Sequence, residues 1–233
     1  MVTNTRGAHA PSIAEHAFGL LLALTRAIPM SLKWQGERYW GRKEGYRVPR
    51  EIMGSTMGIV GYGQIGRMVA KRANGFDMKV LAVDVQPGAT DGIVEEVWPV
   101  DRLHEMLGQS DAVVLAAPYT KETRHMMDAR ALAAMKKDAF LIAVSRGGIV
   151  DEDALCEALE SGHLAGVGID VCETEPLAAE EKLWHFSNVL ITPHLAGSSW
   201  QKEQRVVEIL VDNLGRFQRG EELRNVVDKR AGY

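Results

Sequence analysis

The sequence predicts an α/β fold, a doubly wound parallel sheet, and three observations carry that prediction. Six short apolar runs rich in β-branched residues recur along the 233 residues. Amphipathic stretches of helical period separate most of them, and capping residues mark the helix ends, with Asp128 and Asp151 as N-caps and Gly162 as a stop. The runs are apolar throughout rather than alternating. Such strands bury both faces, which a parallel sheet covered by helices on each side achieves.

In chain order, the first element is a long helix over 11–28, PSIAEHAFGLLLALTRAI, with proline near its start. The stretch 29–55, PMSLKWQGERYWGRKEGYRVPREIMGS, has neither period and reads as a long irregular excursion. Segments of this kind clamp a partner or a second domain. Strands are then expected at 56–61, 78–84, 111–118, 139–145, 165–171 and 188–194. Helices are expected at 63–76, 101–110, 128–137 and 151–162, and the tail begins as an amphipathic helix with Val206, Val207, Ile209, Leu210 and Leu214 at helical spacing. No repeat or low-complexity segment is evident.

Composition narrows the classes of function. A formal net charge of -4, with 46% hydrophobic and 25% charged residues, gives no sign of binding to nucleic acid or an anionic membrane. Cys156 and Cys172 have no metal or redox spacing, so both are expected as buried small residues in a reducing compartment, with no metal site. MVTNTRGAHAPS is no secretory signal, and AFGLLLALTRAI contains Arg26 and is too short to span a bilayer. A soluble cytoplasmic protein is the expectation.

In an open parallel sheet, ligands bind beyond the carboxyl ends of the strands. The run 56–61 leads into GYGQIG, where Gly61, Gly63 and Gly66 form G-x-G-x-x-G between strand and helix. Such glycines turn the backbone tightly and let it approach a pyrophosphate seated on a helix N-terminus, as in a Rossmann dinucleotide fold. Asp84 follows 23 residues after Gly61 at the next strand end. A carboxylate there takes ribose hydroxyls and repels a 2′-phosphate, which favours NAD over NADP. Ala117 and Pro118 suit a wall against a flat cofactor, while Thr120 and Thr123 serve equally well as helix caps. The later strand ends deliver Arg146, then Asp170 and Glu175, then His194.

A guanidinium grips a carboxylate with a planar fork of donors, and a carboxylate beside an imidazole favours its protonated form. With NAD, these groups suit hydride transfer to the carbonyl carbon of a 2-oxo acid. Arg146 would hold the substrate carboxylate, His194 would exchange the proton at the carbonyl oxygen, and Glu175 would orient His194. Each also has a structural reading: Arg146 could pair with Asp151 or Asp153, Glu175 could belong to a surface acidic loop with Glu173, and His194 could be a satisfied loop residue. His16, His104, His125, His163 and His185 receive no chemistry.

The motifs GIVGYGQIG…VLAVD, VSRGGIVDEDAL, GVGIDVCETEPL and NVLITPHLAGSS resemble the D-isomer-specific 2-hydroxyacid dehydrogenases, with similarity from about residue 2 to the C-terminus. The resemblance implies a substrate-binding Arg146, an acid/base His194 paired to Glu175, and an Asp170 that holds the nicotinamide carboxamide. It further implies cofactor contacts from Gly61, Gly63, Gln64, Ile65, Gly66, Asp84, Ala117, Pro118, Thr123, Val144, Ser145, Asp170, His194 and Gly197. The implied organisation is an interdomain helix (1–28), a dimerisation arm (29–53), an NAD-binding Rossmann domain (54–197) and a C-terminal helix and tail (198–233). A homodimer acting on a small 2-oxo or 2-hydroxy acid is expected. Family members open with a flavodoxin-like substrate domain, most of which is expected to be missing here. His9 stands where the family often has asparagine. The alternative is an NAD-binding dimerisation or regulatory module without turnover.

Overall fold

The computed structural model describes residues 1–41, 48–88 and 92–229. Its elements run α1 (Ala10–Thr25), α2 (Ile28–Gly36), β1 (Thr56–Val60), α3 (Gln64–Gly75), β2 (Lys79–Val83), β3 (Val97–Trp98), α4 (Leu103–Gln109), β4 (Ala112–Leu115), α5 (Ala129–Ala134), β5 (Phe140–Ala143), α6 (Glu152–Glu160), β6 (Gly166–Ile169), β7 (Val189–Ile191) and α7 (Trp200–Arg219). The strands form one sheet in the order β3-β2-β1-β4-β5-β6-β7, with every pairing parallel. The order reverses direction between β1 and β4, which opens a crevice at their carboxyl ends.

Two cores sandwich the sheet. On one face, Leu107 from α4, Leu132 from α5 and Leu155 from α6 pack on Val113, Leu141 and Val167. On the other, Ala14, Ala17 and Leu21 of α1 and Val69, Ala70 and Ala73 of α3 pack on Ile59, Val114 and Ile142. Side chains alternate between faces along a strand, so β6, Gly-Val-Gly-Ile, turns its two glycines towards α1. A Cβ at Gly168 would come within 2.9 Å of Leu20 Cβ, and one at Gly166 within 3.4 Å of Leu24 Cδ2. The glycines therefore let α1 lie close against β6.

The predicted caps are present. Asp128 accepts from the N–H groups of Arg130 and Ala131, Asp151 accepts from that of Ala154, and Gly162 takes a φ of +68° just beyond α6. The first helix is shorter than expected, ending at Thr25, where Ala27 adopts a left-handed φ of 55° and the chain bends by 68° into α2. Helix α2 corrects the expectation of irregular chain after residue 28. It buries no residue, so it has no apolar stripe to reveal it, yet a proline in its first turn presets a helical φ. Strand β3 was also unforeseen, because two residues pairing with Ala82 and Val83 leave no legible period.

Residues 42–47 of the expected arm and 230–233 of the tail lie outside the described residues. The tail returns to the start of the chain, with Thr3 bridging Val226. No single helix among the described residues is long and apolar enough to cross a membrane.

Candidate active site

The glycine loop stands at the reversal point. A Cβ at Gly61, whose φ is +91°, would sit 2.6 Å from the backbone N of Ala117 at the end of β4. One at Gly66 would collide with the carbonyl oxygen of Gly61. Only glycine allows β1, α3 and the β4 end to meet this closely. Gly63, the N-cap of α3, is exposed and has open space around it, and no side chain caps that helix. The first N–H groups of α3 are thus left without side-chain acceptors, the condition under which a helix terminus receives a phosphate. Gln64 is exposed here and Ile65 partly so, and Gly7 of the N-terminal segment lies against Gln64.

Asp84 closes the end of β2. Its Oδ2 accepts the N–H of Tyr62 at 2.6 Å, inside the glycine motif, and its Oδ1 accepts that of Gln86 at 2.9 Å. Ala117 is buried and Pro118 exposed. Thr123 donates to the carbonyl of Pro118 at 2.7 Å and accepts from the N–H of Thr120 at 2.7 Å. Its hydroxyl therefore shapes the loop after β4 and caps no helix. Val144 points into the core on the α1 side. Among the described residues the buried Ser145 hydroxyl finds no hydrogen-bond partner. Burying an unpaired hydroxyl is costly, so this orphan marks a place for a polar ligand. The glycine cradle, the uncapped helix, the Asp84 carboxylate and the Ser145 hydroxyl together fit a dinucleotide.

Three neighbouring strands lead to the candidate reactive groups. Arg146 follows β5, Glu175 lies in the loop after β6, and His194 follows β7. His194 Nδ1 donates to Glu175 Oε2 at 2.7 Å, and the other Glu175 oxygen accepts the N–H of Cys172 at 3.0 Å. Burial alone would raise the Glu175 carboxyl. The hydrogen bonds from His194 and Cys172 and the charges of His194 and Arg146 outweigh it and hold the group below its ordinary value. Since a carboxylate only accepts, Nδ1 carries the hydrogen and Nε2 is left to serve as acid or base. The His194 side chain is 48% exposed, open to a substrate. Arg146 is exposed, and its Nη1 donates to the carbonyl of Ser145 at 2.7 Å. Among the described residues it forms no ion pair, with Asp151 and Asp153 or otherwise. A Cβ on Gly147 would overlap the carbonyl of Cys172, so the loops bearing Arg146 and Glu175 touch backbone to backbone.

Asp170 does more than the sequence disclosed. It is 2% exposed, and its Oδ1 accepts the N–H of Leu195 and its Oδ2 that of Ala196, both at 2.8 Å. Thr192 donates its hydroxyl to Oδ1 at 2.6 Å, and His16 of α1 lies 2.8 Å from that hydroxyl. His9 Nδ1 sits 3.2 Å from the carbonyl oxygen of Gly197. No pattern in the sequence joins His16 or Thr192 to the site. The signals available were His9 and His16 seven positions apart on one helix face, and Thr192 two positions before His194.

Comparison with known proteins agrees with this geometry. Residues 18–196 match the description "D-isomer specific 2-hydroxyacid dehydrogenase, NAD binding domain". The chain is 39% identical over 235 residues to a glyoxylate reductase of Pyrococcus furiosus, spanning 98% of this chain and 69% of that protein. It is likewise 39% identical to a hydroxypyruvate reductase of Thermotoga maritima, over 91% of this chain and 68% of the relative. A D-isomer specific 2-hydroxyacid dehydrogenase from Xanthobacter autotrophicus Py2, solved in complex with NADPH and MES, superposes with a TM-score of 0.84 at 35% identity, covering 97% of this chain and 69% of that one. The chain belongs to the D-isomer specific 2-hydroxyacid dehydrogenases and carries their NAD-binding domain, an oxidoreductase built on NAD.

Proposed function

We propose that the protein interconverts small 2-oxo acids and D-2-hydroxy acids, with glyoxylate and hydroxypyruvate as the first substrates to test. The observation that carries this reading is the His194–Glu175 hydrogen bond at 2.7 Å with Arg146 on the adjoining loop. Bound NAD(H) supplies or accepts the hydride. Arg146 grips the substrate carboxylate through its guanidinium fork and orients the carbonyl. His194 Nε2 gives the carbonyl oxygen its proton in reduction and takes it back in oxidation. Glu175 holds the imidazole by Nδ1 and so leaves Nε2 for the substrate oxygen. Ser145 and the loops carrying Ala117, Pro118 and Gly197 would hold the dinucleotide. Asp84 favours NAD over NADP, because a 2′-phosphate would face a carboxylate already fixed by two N–H groups.

The same reading takes residues 54–197 as the cofactor domain, 1–28 as a connecting helical segment, 29–53 as an arm between two copies of the chain, and 198–233 as a helix and tail returning to the connection. In support, α2 buries nothing within its own chain and Trp40 is 88% exposed. Sedimentation of the chain and of a Trp40→Ser variant tests the dimer.

NADH oxidation by the 233-residue chain with glyoxylate and hydroxypyruvate tests the chemistry. His194→Ala is expected to lower kcat by about a hundredfold to ten-thousandfold, the range for loss of a general acid. Arg146→Ala is expected to raise KM for the 2-oxo acid while leaving NADH binding intact. Equal turnover in the parent and both variants, or none in any of them, sinks the proposal.

A further inference from the structure

The backbone of His194 is in an unusual state. Its φ is +55°, a left-handed conformation uncommon for a residue with a Cβ. The group that holds this stretch of backbone is Asp170. Its backbone carbonyl accepts the N–H of His194 at 2.9 Å, and its two carboxylate oxygens take the next two N–H groups, those of Leu195 and Ala196. The direction of the imidazole therefore depends on where the Asp170 side chain is held.

That side chain is held from α1. Asp170 has no hydrogen to give, so the single hydroxyl hydrogen of Thr192 goes to Oδ1 across 2.6 Å. The Thr192 oxygen is then an acceptor towards His16 Nε2 at 2.8 Å, which fixes Nε2 as the protonated nitrogen. The same nitrogen lies 3.4 Å from Asp170 Oδ1, so it faces the carboxylate directly as well. Helix α1 is itself pressed onto β6 and tied to α3, where Arg72 pairs with Glu15 at 2.6 Å. His9, two turns before His16, grips the far end of the loop through Gly197.

Resting on the reading of His194 as the acid/base, we propose that His16, acting through Thr192 and Asp170, is a positioning residue for that imidazole. Helix α1 thereby sets the direction of the proton-transferring group, although it contributes no atom to the reaction. A shift of α1 against the sheet would reach the site through this chain of donors, since about 1 Å of misplacement can cost a hundredfold in rate.

Two pairs of variants test it in the 233-residue chain. His16→Leu removes the donor and His16→Gln keeps an N–H at its place; Thr192→Val breaks both links and Thr192→Ser keeps them. His16→Leu and Thr192→Val are expected to lower kcat about tenfold to a hundredfold with KM for NADH unchanged, while Gln and Ser restore most of the rate. The Cε1–H proton resonance of His194, assigned by its loss in His194→Asn, is expected to move in Leu and Val and to overlay the parent in Gln and Ser. If His16→Leu does not fold, His16→Asn, whose shorter amide ends before Thr192, takes its place, with the same loss of rate and moved resonance expected. An unmoved resonance in the Leu and Val variants overturns the proposal, and so does an equal shift in all four. If the parent turns over no 2-oxo acid, the acid/base reading fails, and the resonance still decides whether His16 positions residue 194.

Discussion

Glu175 meets His194 at the open edge of the site, and its carboxyl is held below the ordinary value of 4.5 chiefly against burial, by the His194 and Cys172 donors. A carboxyl lowered on folding contributes stability that is complete above its unfolded value and is lost as pH falls through the folded one. Glu175→Gln should therefore melt lower than the parent at pH 7, by an amount equivalent to no more than about 1 kcal/mol for so exposed a pair. The gap should close on acidification below 4.5, and paired thermal melts across pH would show it. Cys172 is the contrasting case. Burial, with the carboxylates of Glu152, Glu175, Asp170 and Glu181, pushes its thiol up to about 12. Since the thiolate is the reactive form, iodoacetamide should leave native Cys172 unmodified at pH 7.5 and label it on unfolding, as peptide mass spectrometry would reveal. Arg146, Glu175 and His194 were legible in the sequence because each follows a strand whose apolar run can be read. His16 was not, because its partner Thr192 lies 176 residues away and no local pattern joins them.

Elements were legible where burial leaves a period and obscure where it does not. Strands β1, β2, β4, β5 and β6 and helices α3 to α7 bury apolar residues, β7 half-buries its three, and the sequence located each to within a few residues. Helix α2 and strand β3 carry too little buried pattern to register. Capping signals were the most transferable local feature: Asp151→Ala should destabilise α6 by about 1 kcal/mol, read from urea denaturation midpoints. Between elements, the tightest joint lies where Gly147 meets the carbonyl of Cys172. Gly147→Ala must push the β5 and β6 loops apart, at a cost of about 1–3 kcal/mol. It should also disturb Arg146 and Glu175 together, which would appear as a lower Tm with a weakened response to 2-oxo acid.

For the whole molecule, an apolar strand pattern sufficed for a parallel sheet with a core on each face, and the glycine motif sufficed for the site's place on it. The faces turned outward are another matter. Val207, Leu210, Val211, Leu214 and Phe217 on α7 are each more than half exposed and form an apolar stripe along the helix. Leu214→Ser with Phe217→Ser should reduce self-association in light scattering and leave NAD affinity as it was. Asp84 carries a consequence of a different kind. Its carboxylate holds the N–H of Tyr62 in the glycine loop and that of Gln86 beyond the strand. A lineage drifting towards the phosphorylated dinucleotide would need to discard this carboxylate, and would loosen the loop that receives either cofactor in the same step. The loosening would be least where the replacement keeps an oxygen acceptor without the charge, as Asp84→Asn or Asp84→Ser would, so the geometry of the loop narrows such a change to residues of that kind.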